Sequence, residues 1–336
     1  MTVILEVKNL NVHYKIDSGA IKALNDFNLK VYEGEVVGIV GESGSGKTTF
    51  ALSILRLLPP NASILGGEIL YRGINLLRLD DLEIQKIRQE KISLIIQGTG
   101  DALNPLMTAG WQVLEPIEYH GKMEVGEAVS WVEELFEEVG LGSMRIFSLP
   151  RELSVGMRQR IKVAIAISTL PELVIADEPF IGLDPPIQQV LLSYLMRLRD
   201  KYKFTMIITT HNMATLANIA DKIAVIYAGK ILEYNTVINV FKHPIHPYTK
   251  GLIGALPDPR RPKKRRLIYI PGSPPSAMEL PKGCVFWPRC PFAKDICRQV
   301  EPVPRNIDSG LVACHFGEQL KDVSPWDFWT EDIALY

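Results

Sequence analysis

The chain has 336 residues, of which 47% are apolar and 22% charged, and its formal net charge is −1. That length supports a large core and two domains, the composition is that of an ordinary globular protein, and a near-zero charge offers no global field for nucleic acid. The opening stretch MTVILEVKNLNVHYK lacks a basic-then-apolar layout, so secretion is not expected.

VILEVKNLNVHY and AIKALNDFNLKVYEG alternate in strand fashion, with Gly34 closing a turn. EVVGIV is a short apolar run suited to a buried strand, and a glycine-rich loop follows it. Helical spacing then begins at TTFALSILRLL and stops at Pro59-Pro60. Residues 98–166 read as largely helical; in EAVSWVEELFEEVGL, Trp131, Leu135 and Val139 share a face and Gly140 is a predicted C-cap. IKVAIAISTLPELVIADEP (161–179) is the strongest membrane candidate, but Pro171 and Glu172 interrupt it after about ten residues, whereas a span needs about twenty. It reads as a buried helix followed by a buried strand. LVIAD, TMIITTH and IAVIYAG are further strands, and strand–helix alternation around a helical insertion predicts an α/β core with a helical subdomain. After residue 236, HPIHPY, LPDPRRPKKRR and IPGSPPS bring proline and basic side chains, as in a linker or irregular domain. RRPKKRR reads as solvated linker surface, with lipid phosphate or nucleotide as the alternative contact.

GESGSGKTT (Gly41, Glu42, Ser43, Gly44, Ser45, Gly46, Lys47, Thr48, Thr49) fits G-x-x-x-x-G-K-[ST] between a predicted strand and a predicted helix. Its glycines let the backbone wrap a polyphosphate so that amides and a helix N-terminus face negative charge. Lys47 is placed for the β- and γ-phosphates and Thr48 for Mg²⁺, which predicts nucleoside triphosphate binding. LVIADEP ends an apolar strand on Asp177, suited to hold Mg²⁺ through water, and Glu178, suited to polarise the attacking water. His211 ends TMIITTH, where a side chain can reach a γ-phosphate.

ELSVGMRQR lies between the phosphate loop and Asp177-Glu178 and resembles the LSGGQ-type signature of ATP-binding cassette (ABC) ATPases. The ordered set resembles that family over some 230 residues. Tyr14 is similar to the aromatic that stacks on adenine, Gln97 to the Q-loop glutamine, and Ser154 and Gly156 to signature positions that contact a γ-phosphate across a dimer. Asp184 in GLDPP matches the D-loop aspartate, and His211 the switch histidine. The resemblance implies a P-loop nucleotide-binding domain over 1–236, with a RecA-like core, an antiparallel β subdomain and a helical subdomain at about 98–166. It also implies Mg²⁺ near Thr48, Gln97 and Asp177, hydrolysis carried by Glu178, His211 and Gln97, and a sandwich of two cassettes whose opening drives a transmembrane partner. Two departures stand out. Val155 replaces the usual signature glycine, and GTG follows Gln97 in place of Asp-Pro. Because signatures act in trans, the expectation is an asymmetric pair in which this chain's own phosphate loop forms the stronger site.

HPIHPYTKGLIGALPDP, IPGSPPS and PKGCVFWPRCPFAKDIC resemble the C-terminal extension of oligopeptide/dipeptide importer ATPases, here 237–336, and the short insert after Tyr14 resembles the D-type subunit. The last twenty or so residues, with WDFW, match nothing in that pattern. All four cysteines fall in this extension, spaced C-x5-C-x6-C-x16-C. In the resembling family Cys284, Cys290, Cys297 and Cys314 can ligate a [4Fe–4S] cluster. Zinc, free thiols and disulfides are the alternatives, although zinc sites and ferredoxins usually show tighter pairs. The implied role is a structural staple. The resemblance further implies two transmembrane permease subunits, a sibling F-type ATPase, an extracytoplasmic solute-binding protein, and a peripheral position on the cytoplasmic face of the membrane. Dipeptides or oligopeptides are the expected cargo, with nickel or oligosaccharides as alternatives; a soluble ABC ATPase acting on ribosomes or DNA is the competing class.

Overall fold

The computed structural model describes residues 2–98, 102–257 and 268–324; the basic run 260–266, Thr99, Gly100 and the closing WDFW segment lie outside them. β1 (Val3–Ile16) and β2 (Gly19–Tyr32) form a long antiparallel hairpin, and β3 (Val36–Val40) leads into the glycine-rich loop and α1 (Lys47–Ile54). β4 (Ala62–Tyr71) and β5 (Ile74–Asn75) return to the hairpin, followed by α2 (Asp81–Ile87) and β6 (Ile92–Ile95). The helical section comprises α3 (Ala109–Tyr119), α4 (Val125–Glu138) and α5 (Val155–Ile167). After it come β7 (Leu173–Asp177), α6 (Pro185–Tyr202), β8 (Thr205–Thr210), α7 (Met213–Leu216), β9 (Lys222–Tyr227) and β10 (Lys230–Thr236). The extension adds α8 (Val237–Lys242), α9 (Pro247–Gly254), α10 (Asp295–Gln299), β11 (Arg305–Ile307), β12 (Gly310–Val312) and α11 (Gly317–Leu320).

Two sheets result. One is the antiparallel β2-β1-β4-β5 layer; the other has the order β11-β12-β10-β9-β3-β8-β7-β6. Within the second, β9, β3, β8, β7 and β6 run parallel and are buried on both faces, which is why their sequences are largely apolar without a polar–apolar alternation. Alternate residues feed two separate cores. Val36, Val174, Met206 and Val225 face the helical layer and the extension, while Val37, Ile175, Ile207 and Ile226 face α1 and the antiparallel sheet.

The helical section forms as its spacing predicts. Leu135 and Val139 are fully buried, the Trp131 indole Nε1 donates to the Ser168 carbonyl at 2.8 Å, and Gly140 takes φ +68° just past the end of α4. Helix α1 is shorter than the sequence pattern predicts. It ends at Ile54, and Arg56 adopts φ +51°, so the chain turns before reaching Pro59-Pro60. The extension is also less irregular than its composition suggests: β12 pairs antiparallel with β10, so the principal sheet continues past residue 236.

Candidate functional site

The carboxyl ends of four neighbouring parallel strands, β3, β8, β7 and β6, face one cleft, the place where open α/β sheets present ligand-binding groups. From β3 the loop Gly41–Thr49 turns sharply. Gly44 and Gly46 take φ +77° and +105°, a Cβ on Gly41 would meet the Ile226 carbonyl oxygen at 2.2 Å, and one on Gly46 would meet that of Ala23 at 2.5 Å. Only glycine fits these positions. Ser43, Gly44, Gly46, Lys47, Thr48 and Thr49 line the cleft together with Tyr14, Gln97 and Glu178. The Tyr14 hydroxyl lies 3.1 Å from Thr49 Oγ1, and Thr48 Oγ1 donates to Gln97 Oε1 at 3.3 Å. Ser45 Oγ is buried without a partner among the described residues.

Lys47 is buried; its Nζ donates to the Gly41 carbonyl at 2.8 Å and the Glu42 carbonyl at 3.1 Å. Burial pulls its pKa down, and the nearby carboxylates of Glu178 and Asp177 oppose that shift. Asp177 and Glu178 close β7. Thr209 Oγ1 donates to Asp177 Oδ1 at 2.5 Å, and the Glu178 amide donates to Thr209 Oγ1 at 3.1 Å. Glu178 carries φ +45°, a left-handed backbone on a non-glycine residue that turns its carboxylate back over the loop. There Oε1 lies 3.6 Å from Lys47 Nζ and Oε2 lies 3.0 Å from His211 Nδ1. Lys47, Glu178 and His211 thus form one chain of contacts.

A profile described as "ABC transporter" matches residues 24–181, and one described as "Oligopeptide/dipeptide transporter, C-terminal region" matches 232–297. A probable peptide ABC transporter ATP-binding protein of Sinorhizobium fredii is 39% identical over 314 residues, covering 93% of this chain and 94% of the relative. The chain belongs to the ATP-binding subunits of ABC transporters. The oligopeptide transport ATP-binding protein OppD of Escherichia coli is 38% identical over 93% of this chain and 92% of its own length. The dipeptide transport ATP-binding protein DppD of Caldanaerobacter subterraneus is 38% identical over 95% and 98%. The dimeric ATP-binding cassette MJ0796, in a post-hydrolysis state bound to ADP and Pi, superposes with a TM-score of 0.63 at 29% identity. It covers 69% of this chain and 98% of that one.

Other residues expected of an ABC ATPase lie away from this cleft. Ser154 caps α5, accepting from the Met157 amide at 3.3 Å; Gly156 lies in the first turn of α5 near Ile187; and Asp184 precedes α6. None of the three lines the cleft of its own phosphate loop. Val155 packs against the core beneath α5. Sequence reasoning missed several groups. Gln159 donates to the Gly98 carbonyl at 2.9 Å, and the buried Lys162 donates to the same oxygen and to the Ile96 carbonyl, tying α5 to the segment that carries Gln97. Burial lowers the Lys162 pKa to about 8. Glu42 directs its carboxylate away from the cleft, onto Arg289 of the extension.

The four cysteines come together. All line one enclosed cavity with His246, Phe286, Trp287 and Phe316, and none is in a disulfide. Burial pushes the Cys284 thiol up to about 12 and Cys314 to about 11, and it raises Cys290 as well. Among the described residues no three His, Cys, Asp or Glu side chains are grouped so as to hold a metal ion. A cationic centre in that cavity would offset the burial that disfavours the thiolates.

Proposed function

We propose that this chain is the ATP-hydrolysing subunit of an importer for oligopeptides or dipeptides, acting through transmembrane permease subunits fed by a solute-binding protein. One observation carries the reading: a cleft uniting Lys47, Glu178 and His211 is continuous, through one sheet, with a region matching the oligopeptide/dipeptide transporter extension. No helix among the described residues is long and apolar enough to cross a membrane. Attachment through permease partners at the cytoplasmic face fits that, and an apolar groove on the helical subdomain supports it.

In this reading Gly41–Thr49 wraps the triphosphate and Tyr14 faces the base. Lys47 leaves its carbonyl partners for phosphate oxygens, Glu178 orients the attacking water, and His211 steadies Glu178 and the γ-phosphate. Thr48, Gln97 and Asp177 would hold Mg²⁺, which neutralises phosphate charge. Ser154, Gly156 and Asp184, set apart from this cleft, serve the facing cassette. That cassette is a sibling F-type ATPase, and with Val155 in the signature this chain's own phosphate loop forms the stronger of two unequal sites. The cavity of Cys284, Cys290, Cys297 and Cys314 takes a [4Fe–4S] cluster as a structural staple, supported by four unpaired thiols on one wall. Hydrolysis does not run through it.

The test is reconstitution with the permease pair, the sibling ATPase and the solute receptor in liposomes. Peptide-loaded receptor should raise ATP turnover severalfold and drive peptide uptake. Turnover indifferent to every peptide, or stimulated only by ribosomes or DNA, would exclude the importer reading.

A further inference from the structure

Glu42 is the only acid in the phosphate loop, and every polar group it owns is engaged. Its amide donates to the Tyr248 hydroxyl at 3.2 Å, and its carbonyl accepts from Lys47 Nζ at 3.1 Å and from the Ser45 amide at 3.2 Å. Its carboxylate oxygens accept from Arg289 Nη1 at 2.9 and 3.1 Å. Tyr248 and Arg289 both belong to the extension, 206 and 247 residues away in sequence.

Arg289 is itself held rigid. Its side chain is 7% exposed, its Nε donates to the Pro271 carbonyl at 2.9 Å and its Nη1 to the Tyr227 hydroxyl at 3.2 Å, with the guanidinium over the Tyr227 ring. A fixed cation therefore stands behind the one carboxylate of a loop built to receive an anion. Without it, Glu42 would face the phosphates uncompensated, in a partly buried setting where charges are weakly screened.

We propose that Arg289 is a positioning residue for the phosphate loop, neutralising Glu42 and drawing its carboxylate away from bound ATP. The extension thereby sets the affinity of a nucleotide site to which it contributes no direct ligand. This inference rests on the reading that Gly41–Thr49 holds ATP, and it is independent of the transported cargo. A competing account makes Arg289 a simple strut, gluing Pro271 and Tyr227 together; only the charge account ties its effect to Glu42.

The experiment is titration of the purified full-length chain with Mg·ATP by calorimetry, without membrane partners, alongside thermal melts of each variant. Arg289→Gln should weaken ATP binding about tenfold, equivalent to about 1.4 kcal/mol. Adding Glu42→Gln to it should bring the Kd back to within about threefold of the parent. Wild-type affinity in R289Q, or a double variant as weak as R289Q, would overturn the proposal. So would loss of the fold in both R289Q and the double variant, which would make Arg289 a strut. Failure of the parent chain to bind ATP would instead strike the ATP-site reading, before any variant is compared.

Discussion

Lys47 Nζ stands 3.6 Å from Glu178 Oε1, with each side chain less than a tenth exposed. The loop cation and the strand-end carboxylate are thus pre-assembled, and His211 meets the other carboxylate oxygen at 3.0 Å. Removing the charge of Glu178 while keeping its shape isolates its chemical role from its contribution to the cleft. Glu178→Gln is expected to lower hydrolysis by about 10²–10⁴-fold, the range for a positioned acid–base group. ATP binding should survive, because Lys47 and the loop amides remain in place. Phosphate release measured beside equilibrium ATP titration checks this; parallel loss of binding and turnover would make Glu178 a structural partner of Lys47 only.

Lys162 offers a pH test of the link between α5 and the segment carrying Gln97. Its folded pKa is lowered to about 8 by burial, against an unfolded value near 10.4. Below pH 8 both states hold the proton, and the fold carries the full cost of a buried cation. Between about 8 and 10.4 the unfolded chain binds more protons, so stability rises with pH by up to about 1.4 kcal/mol per unit from this group. Lys162→Met removes that dependence. Denaturant unfolding of the two chains from pH 7 to 10.5 should show the wild type gaining on the variant above pH 8, and parallel curves would refute it.

The parts of this architecture readable in sequence are those fixed by local rules. β3 and β7 are nearly continuous apolar runs because both faces are buried, and Gly41 and Gly46 mark a loop where any side chain collides with backbone. The contacts hidden from sequence are long-range or polar. Arg289 and Glu42 are 247 positions apart, and nothing near either specifies the other. Lys162 is a lone charge in a run read as a buried helix, and nothing near it in sequence specifies its carbonyl partners. β11 and β12 are three residues each, too short to give a periodic pattern, and they form because β10 offers an edge. Thr209 was within reach of sequence reasoning: it sits two positions before His211, and its hydroxyl holds the Asp177 carboxylate and the Glu178 amide of the neighbouring strand end.

The helical subdomain carries a groove lined by Trp111, Leu114, Val129 and Phe147, with Phe147 69% exposed. Exposed apolar surface of this kind marks an interaction site. If the permease docks there, Phe147→Glu should leave the ATPase of the isolated chain within about twofold, since Phe147 does not line the phosphate-loop cleft, and should abolish stimulation by the assembled transporter. Basal and receptor-stimulated turnover in liposomes separates the two. Full stimulation in the variant would move the docking surface elsewhere.

The cysteine cavity makes a prediction about composition. Cys284, Cys290, Cys297 and Cys314 line one cavity without disulfides, and burial raises the thiol pKa of Cys284, Cys290 and Cys314, which disfavours their thiolates. A [4Fe–4S] cluster there requires about four irons and four acid-labile sulfides per chain after anaerobic purification. Cys290→Ser should lose both together and lower the thermal midpoint, because the loop-rich segment would lose its staple. ATP affinity should weaken with it: Cys290 follows Arg289 directly, and Phe286 of the cavity wall packs on Tyr248 at 5.2 Å between ring centres. One zinc without sulfide would replace the cluster with a simpler staple. Chains free of metal and sulfide, yet as stable as Cys290→Ser, would show that the aromatic packing of Phe286, Tyr227 and Tyr248 holds the extension unaided.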